Sequence, residues 1–235
     1  DGFRFRDYPL IMGIDSLSTP LHQAVKKLCE GPDGLYYALL FQGGITCFDK
    51  DIEKFLPVRF DKPLELKDIL DFCWNDGSLY LVTSQGLFES RIVRKTEGKH
   101  DFVLCLLNPE PVVRGKVAHL CSDGKTNLYF SVNQRKVVHY DLVAKKTSLI
   151  KEYSVVNRLF LRHGYLWICR LWDDIICYDL KTNEERVISM EGKDQSEFSN
   201  SYVTELVLKD NRTFYLTTWN GLYKLRFDND NLCKS

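Results

Sequence analysis

Apolar and polar residues alternate along most of this chain in short runs that turn-forming residues separate. The clearest run begins at 214–217, where aromatic, aliphatic and β-branched residues suit a pleated, half-buried strand. Asn220-Gly221 then supplies the positive φ angles of a tight hairpin turn. Residues 222–227 alternate again with period two. Together these residues predict a β-hairpin, which cannot bury its apolar face alone.

The same four-residue cassette occurs five times, each time with an aromatic residue at its second place. The cassettes are 35–38, 79–82, 128–131, 166–169 and 214–217. Their aromatic residues are Tyr36, Tyr80, Tyr129, Trp167 and Tyr215, separated by 44, 49, 38 and 48 residues. The fourth place holds a small residue in each copy, as expected where sheets pack closely. Periods of about 40 to 50 residues are typical of propeller blades.

An apolar strand and a turn precede each cassette, and further strands follow it, so each repeat predicts a four-stranded antiparallel meander. The predicted fold is therefore an all-β protein, a β-propeller of about five blades in one domain, either a complete ring or part of a larger one. The predicted blades lie near 21–60, 66–108, 115–152, 154–191 and 201–228. The last blade lacks a fourth strand. We expect residues 3–8, which alternate with period two, to supply that strand and close the ring.

The composition excludes several classes of partner. Of 235 residues, 32 are basic and 32 are acidic, so no net field favours nucleic acid. No apolar run reaches the roughly 18 residues that predict direct membrane insertion. The eight cysteines contain no C-x-x-C pair, which predicts reduced thiols rather than a metal site or a disulfide framework. Cys29, Cys73 and Cys121 share one place in three blades and are predicted to be buried.

The turns between second and third strands indicate a binding site rather than a catalytic one. We find no P-loop, nucleophile elbow or zinc-binding helix, so no catalytic residue, metal or cofactor is predicted. A meander brings these turns to one face of a propeller, and their aromatic rings, amides and charges suit an oligosaccharide or another small polar ligand. An equally weighted interpretation is that the amides serve the turns and that the tryptophans cover seams between blades. The candidate ligand-binding residues are Phe41, Gln42, Gln85, Gln134, Arg135, Arg170, Trp172, Asp173, Trp219 and Asn220.

Two cassettes with their Gly-Leu continuation resemble the two-component regulator propeller repeat. They are LYLVTSQGL at 79–87 and FYLTTWNGLY at 214–223, and the segments 13–18, 43–49 and 166–168 are similar to the same repeat. That family forms the periplasmic sensor region of bacterial hybrid histidine kinases, many of which respond to oligosaccharides. The resemblance implies a periplasmic or extracellular sensor domain of a membrane-anchored receptor, without catalytic residues of its own, and a homodimer formed through that receptor.

The sequence also departs from this family. The family's usual glycine at the fourth cassette place is absent from all five copies, and Lys136-Val137 and Asp174-Ile175 replace Gly-Leu. Family sensors carry more than five blades, so the chain is expected to be a fragment or a divergent relative. Two other function classes stay open: a protein-interaction propeller of the Trp-Asp repeat kind and a propeller enzyme. The first is suggested by Tyr140-Asp141 and Tyr178-Asp179, which end third strands as that motif does.

Overall fold

A computed structural model of the chain describes residues 25–41, 44–61, 69–94, 101–171, 173–188, 202–210, 213–219 and 221–226. The described residues form twenty β-strands in four sheets, which confirms the predicted all-β class. The chain divides into two compact units, residues 1–116 and 117–235. The expected closing strand, residues 3–8, lies outside the described residues. The arrangement as one domain stays a prediction.

The first unit contains two four-stranded antiparallel meanders at the positions predicted for the first two blades. The first meander consists of β1 (Val25–Glu30), β2 (Tyr36–Leu40), β3 (Ile45–Asp49) and β4 (Lys54–Phe60). The second consists of β5 (Ile69–Asn75), β6 (Ser78–Thr83), β7 (Gly86–Arg94) and β8 (Phe102–Leu106). A short strand, β9 (Val113–Arg114), pairs with the start of β7.

A parallel pairing joins the two meanders of the first unit into one nine-stranded sheet, which the sequence did not predict. The antiparallel ladder between β3 and β4 ends at Pro57, which has no N–H group to donate. Residues 58–60 of β4 pair instead with residues 102–104 of β8. Because β4 and β8 run in the same direction, equivalent turns of the two meanders lie at the same end of the sheet.

The second unit contains two four-stranded meanders and a three-stranded sheet, where the last three blades were predicted. The first meander consists of β10 (Val117–Ser122), β11 (Asn127–Val132), β12 (Lys136–Asp141) and β13 (Lys146–Glu152). The second consists of β14 (Val156–Arg162), β15 (Tyr165–Arg170), β16 (Ile175–Asp179) and β17 (Glu185–Ile188). The last sheet consists of β18 (Val203–Asp210), β19 (Thr213–Thr218) and β20 (Gly221–Arg226).

The second strand of each four-stranded meander carries an almost unbroken apolar run because it is covered on both faces. In β15, Leu166 and Ile168 belong to one buried cluster, shared with the β10–β13 sheet. Trp167 and Cys169 belong to another, shared with the β18–β20 sheet. All four side chains are buried. The β14–β17 sheet is therefore packed between its two neighbours in the second unit.

The pairing register corrects the first cassette by one position. In the second repeat the aromatic residue Tyr80 lies opposite Cys73. The residue opposite the equivalent Cys29 is Tyr37, not the predicted Tyr36. Tyr37 is buried, whereas Tyr36 is exposed. The first cassette therefore runs from Tyr36 to Leu39, and the prediction of a small residue at its fourth place is wrong.

Two contacts explain why Tyr37 takes the buried position. Its hydroxyl donates a hydrogen bond of 2.7 Å to the Asp33 carboxylate in the preceding turn, so the buried phenol keeps a polar partner. Gly31 leaves the space for the ring, because a Cβ atom there would lie 2.6 Å from it. The turn that precedes β2, rather than the cassette itself, thus determines that Tyr37 is the buried tyrosine.

Every first strand contains a β-bulge near its start, where it has one residue more than the strand that it pairs with, and β18 contains a second register shift near its end. In β10 the register shift falls at His119 and Leu120, and His119 has a φ of 54°. The extra residues of the other four first strands are Lys26, Leu70, Asn157 and Thr204. Bulges bend a strand and redirect the side chains that follow. The repeat therefore includes a backbone feature that residue types alone did not indicate.

The seven cysteines of the described residues are free thiols, as predicted. Cys29, Cys73 and Cys121 are half-buried, however, rather than buried. They lie on β1, β5 and β10, each of which pairs with a single neighbouring strand among the described residues. One edge of each first strand therefore has no paired strand among the described residues. The second strands are paired on both edges, and Cys169 on β15 is buried.

Candidate functional site

The predicted site residues lie on the turns between second and third strands. In the first unit these turns carry Phe41 and Gln85, and Gln42 lies outside the described residues. Phe41 is 70% exposed. The carbonyl oxygen of Gln85 accepts a hydrogen bond of 3.2 Å from the Gly115 N–H. The Gln85 backbone therefore holds the segment that leads out of the second meander, while the residue stays exposed.

Gln134 and Arg135 belong to the turn between β11 and β12. Asn133 and Gln134 have φ angles of 52° and 56°, a left-handed conformation that costs a non-glycine residue roughly 1–2 kcal/mol. The carbonyl oxygen of Gln134 accepts from the Val156 N–H at 2.7 Å, and that of Arg135 accepts from the Tyr153 N–H at 3.0 Å. The backbone of this turn binds the linker between β13 and β14, and both residues remain exposed.

Arg170 and Asp173, at the turn between β15 and β16, are bonded to each other. The Arg170 Nη1 atom lies 2.6 Å from Asp173 Oδ2, and the Arg170 side chain is only 16% exposed. Arg170 Nε also donates to the Asp174 carbonyl oxygen at 3.0 Å. Ser154 donates to Asp173 Oδ2 at 3.1 Å. These groups close the turn on itself, and Trp172 lies outside the described residues.

Trp219, at the turn between β19 and β20, is an exposed aromatic platform. Its ring system is stacked on Tyr202, with centroids 4.8 Å apart and planes inclined by 23°. The Trp219 N–H donates to the Tyr202 carbonyl oxygen at 3.2 Å, so backbone and side chain are both held. Trp219 nevertheless remains 75% exposed. Asn220 lies outside the described residues.

Hydrogen bonds link the segments next to the three turns between second and third strands in the second unit. The β11–β12 turn is tied through Gln134 to the start of β14, as described above. The Leu171 N–H donates to the Val155 carbonyl oxygen at 2.7 Å, which attaches the β15–β16 turn to the same segment. The Asn157 side-chain amide donates to the Val203 carbonyl oxygen at 3.1 Å. The second unit thus brings the turns of Gln134, Arg170 and Trp219 to one end of its sheets.

A charged carboxylate fixes the linker beside these turns. Glu185 accepts hydrogen bonds from the Tyr153 hydroxyl and from the Lys151 ammonium group. Burial acts to raise the pKa of Glu185, but these two donors outweigh it and the pKa lies below its usual value. Burial and the neighbouring carboxylate raise the pKa of Tyr153. The linker that binds the Arg135 carbonyl is therefore held by an ionised, hydrogen-bonded network at neutral pH.

Sequence reasoning missed a second candidate site, in the first unit. A cavity of about 140 Å³ opens at the end of the sheet opposite to Phe41 and Gln85. It is lined by Leu35, Asp49, Lys50, Asp51, Arg94 and Phe102. The charged run Asp49-Lys50-Asp51 after an apolar strand was a visible signal, but its partner Arg94 comes from the other meander. In the part of the chain that the structure describes, no cluster of three or more His, Cys, Asp or Glu residues is placed to hold a metal.

Comparisons with known proteins bear on the fold. No protein-family model matches this sequence, and no curated protein is significantly similar to it. The extracellular domain of the hybrid two-component system BT4673 from B. thetaiotaomicron has a TM-score of 0.69 at 15% identity, over 94% of this chain and 31% of that chain. The extracellular domain of BT3049, from the same organism, gives 0.58 at 13% identity, over 89% and 29%. A chain of the mitotic checkpoint complex gives 0.59 at 16% identity, over 89% and 65%.

The two bacterial similarities confirm, at the level of the fold, the resemblance to sensor regions of two-component systems. This chain spans about a third of the length of those two domains. Within the described ranges, we find no helix with the length and apolarity that a membrane span requires.

Proposed function

We propose that this chain is a ligand-sensing domain that lies outside the cytoplasm, in a membrane-anchored two-component signalling protein. Its strands would form a β-propeller in which each meander is a blade. The support is the fold likeness to extracellular domains of hybrid two-component systems, together with the fivefold cassette. Such a domain binds its ligand without turnover, and its output is a shift between conformations or dimer arrangements of the receptor.

The ligand that we propose is an oligosaccharide or a similar polar molecule, and Trp219 is the residue that carries this proposal. A tryptophan that only covers a seam between sheets would be buried, whereas Trp219 is 75% exposed. Its stack on Tyr202 holds the indole in one orientation, so little entropy is lost when a ligand docks on it. A flat, fixed aromatic face matches the C–H face of a sugar ring.

Polar groups for the sugar hydroxyls come from the neighbouring turns of the second unit. Gln134 and Arg135 are exposed while their carbonyl groups are bonded to the linker. The turn backbone is therefore fixed independently of any ligand. Arg170 and Asp173 are bonded to each other, so we assign them to the support of the turn rather than to direct ligand contact.

A calorimetric screen of glycans tests the proposal. Trp219→Ala should weaken binding by about tenfold, or ~1.4 kcal/mol, or more, because it removes the platform. Trp219→Phe should retain part of the affinity. Val143→Ala is the matched control, since it truncates an apolar side chain that is 77% exposed in another turn of the same unit.

The same variants distinguish a binding role from a structural one. Because Trp219 is mostly exposed, its removal should change the melting temperature little. Loss of a tryptophan that fills a seam would instead lower stability by ~3–5 kcal/mol. If no glycan binds the wild-type protein, or if Trp219→Ala only lowers stability, the sugar proposal is wrong.

A protein partner is the second candidate for this surface. Exposed tryptophans dominate many protein interfaces, and Leu222, which follows the same turn, is 66% exposed. The absence of glycan binding, together with dimerisation that Trp219→Ala abolishes, would favour this alternative.

A further inference from the structure

The cavity in the first unit is built by both meanders. Leu35 precedes β2, residues 49–51 end β3 and begin the next turn, Arg94 ends β7, and Phe102 begins β8. The parallel pairing of β4 with β8 holds these elements side by side. The cavity therefore belongs to the paired strands of the sheet rather than to a single loop. It lies at the opposite end of this sheet from Phe41 and Gln85.

Asp49 places a buried carboxylate in the cavity wall. Its side chain is only 3% exposed. One carboxylate oxygen accepts a hydrogen bond of 2.9 Å from the Asp51 N–H, which fixes the orientation of the group. The other oxygen forms an ion pair with Arg94, whose Nη2 atom lies 3.8 Å away. The buried negative charge thus has a fixed position next to open volume.

Arg94 and Lys50 supply two cations on the same cavity. The Arg94 side chain is 48% exposed, and its guanidinium group lies 5.6 Å from the Phe102 ring centroid. The planar fork of a guanidinium group matches the geometry of a carboxylate. The Lys50 ammonium group donates to the Gly34 carbonyl oxygen at 2.7 Å and lies 5.9 Å from the Tyr36 ring centroid. An ammonium group has three donors, of which this bond uses one.

The lining therefore carries two carboxylates, two cations and two apolar side chains, Leu35 and Phe102. A purely anionic ligand would meet Asp49 and Asp51, and a purely cationic ligand would meet Arg94 and Lys50. A ligand of either kind would place its charge beside lining residues of the same sign, which is unfavourable. A zwitterion satisfies both halves. The ammonium and carboxylate groups of an α-amino acid are attached to one carbon atom, so they present opposite charges at close separation.

We propose that this cavity binds a free α-amino acid with a small side chain. Its carboxylate would lie on Arg94 and Lys50, its ammonium group on Asp49 and Asp51, and its side chain against Leu35 and Phe102. The volume of about 140 Å³ limits the size of the ligand, because an apolar cavity of about 150 Å³ holds benzene, with its six heavy atoms. Glycine and alanine fit this limit, whereas phenylalanine does not.

Titration calorimetry of the whole chain with alanine or glycine tests the proposal, with propionate, ethylamine and phenylalanine as ligand controls. Alanine should bind and raise the melting temperature, and the three controls should not. Arg94→Gln should weaken alanine binding at least tenfold. Arg91→Gln is the matched control, because it removes the same charge from an exposed position of β7 that does not line the cavity.

Lys50→Gln is a second variant, on an exposed turn residue, in case Arg94→Gln is unstable. It should also weaken alanine binding, while Trp219→Ala should leave it unchanged. This independence separates the cavity from the sugar site, since either proposal can fail alone. The proposal is overturned if alanine does not bind, if propionate or ethylamine binds as well as alanine, or if Arg94→Gln and Lys50→Gln both bind alanine like the wild type.

Discussion

Replacement of Lys27 by methionine tests the ion pair that links β1 to β5 in the first unit. The Lys27 ammonium group lies 2.8 Å from Asp71 Oδ1 and donates to the Phe72 carbonyl oxygen at 2.7 Å. The side chains of Lys27 and Asp71 are 28% and 6% exposed. Methionine keeps most of the apolar stem of the lysine. The substitution therefore removes the charge while it preserves the packing.

The expected loss follows from the burial of Asp71. Removal of one partner of a buried ion pair costs ~3–5 kcal/mol, because an uncompensated charge stays in the interior. Water reaches the lysine side of this pair, so we expect the lower end, about 3 kcal/mol. The Phe72 N–H also donates to the Asp71 carboxylate at 2.8 Å, and this bond persists in the variant.

Urea denaturation followed by circular dichroism measures the free energy of unfolding. The double variant Lys27→Met, Asp71→Asn should recover at least ~1 kcal/mol relative to the sum of the single variants, because it leaves no buried charge. A loss below ~1 kcal/mol for Lys27→Met would place the pair in the class of exposed salt bridges and refute the reasoning. The reasoning would also be refuted if the loss of the double variant equalled the sum of the losses of the two single variants.

The pH dependence provides an independent check. Burial acts to lower the pKa of Lys27, but the Asp71 carboxylate outweighs it and the pKa lies above its usual value. A group whose pKa is raised by folding stabilises the folded state below its unfolded pKa, about 10.4 for lysine, and this stabilisation is lost as the pH rises through the folded value. The wild type should therefore lose stability above about pH 10, and Lys27→Met should lose less.

Two further predictions concern a backbone contact and a thiol. Gly86→Ala should cost more than ~2 kcal/mol, because φ is +145° and the new Cβ would lie 2.0 Å from the Val113 carbonyl oxygen. Gly77→Ala, with φ +77° and open space around it, should cost about 1 kcal/mol, and equal losses in denaturation curves would contradict the clash. Burial raises the pKa of Cys29 to about 11, so its native alkylation, followed by mass spectrometry, should be about 100-fold slower near neutral pH than in urea and should accelerate towards pH 11. Equal rates in both states would be incompatible with this.

The strands could be predicted from the sequence because alternation and turn residues are local signals. Predicted third strands such as 45–48 and 175–178 differ from the observed bounds, Ile45–Asp49 and Ile175–Asp179, by a single residue. The parallel join of β4 to β8 was not predictable in the same way. Pro57 explains why β4 leaves β3, but the partner of residues 58–60 lies more than 40 residues further along the chain. Pairing over such separations depends on how the meanders pack.

Some residues of the predicted site are exposed, and others are bonded to one another within their turn. An exposed Trp219 is consistent with its predicted ligand contact, since it remains 75% exposed although Tyr202 is stacked on it. The sequence could not show that Arg170 and Asp173 pair with each other, because both residue types are equally suited to bind a ligand. The cavity around Asp49 could not be predicted because its lining residues come from distant parts of the sequence. Arg94 and Asp49 are 45 positions apart in sequence, and only the pairing of two meanders brings them together.

The bulges of the first strands did leave a trace in the sequence. An aliphatic residue is followed, three positions later, by a second apolar residue at the start of all five first strands. The pairs are Val25 and Leu28, Ile69 and Phe72, Val117 and Leu120, Val156 and Leu159, and Val203 and Leu206. In a regular strand, residues three apart face opposite sides. In the last four strands both members are buried, which one extra residue between them makes possible.

In four of the five first strands, a charged residue follows the bulge. The residue just after the extra one is Lys27 in β1, Asp71 in β5, Arg158 in β14 and Glu205 in β18. Lys27 and Asp71 form the ion pair between β1 and β5. Arg158 and Glu205 both act on the pKa of the buried Cys169, in opposite directions, although burial is the largest cause of its rise. These four strands therefore share a position just after the bulge that carries a charge, although its sign and residue type differ among them. A search for repeats of this kind should compare the spacing of apolar pairs as well as the cassettes themselves.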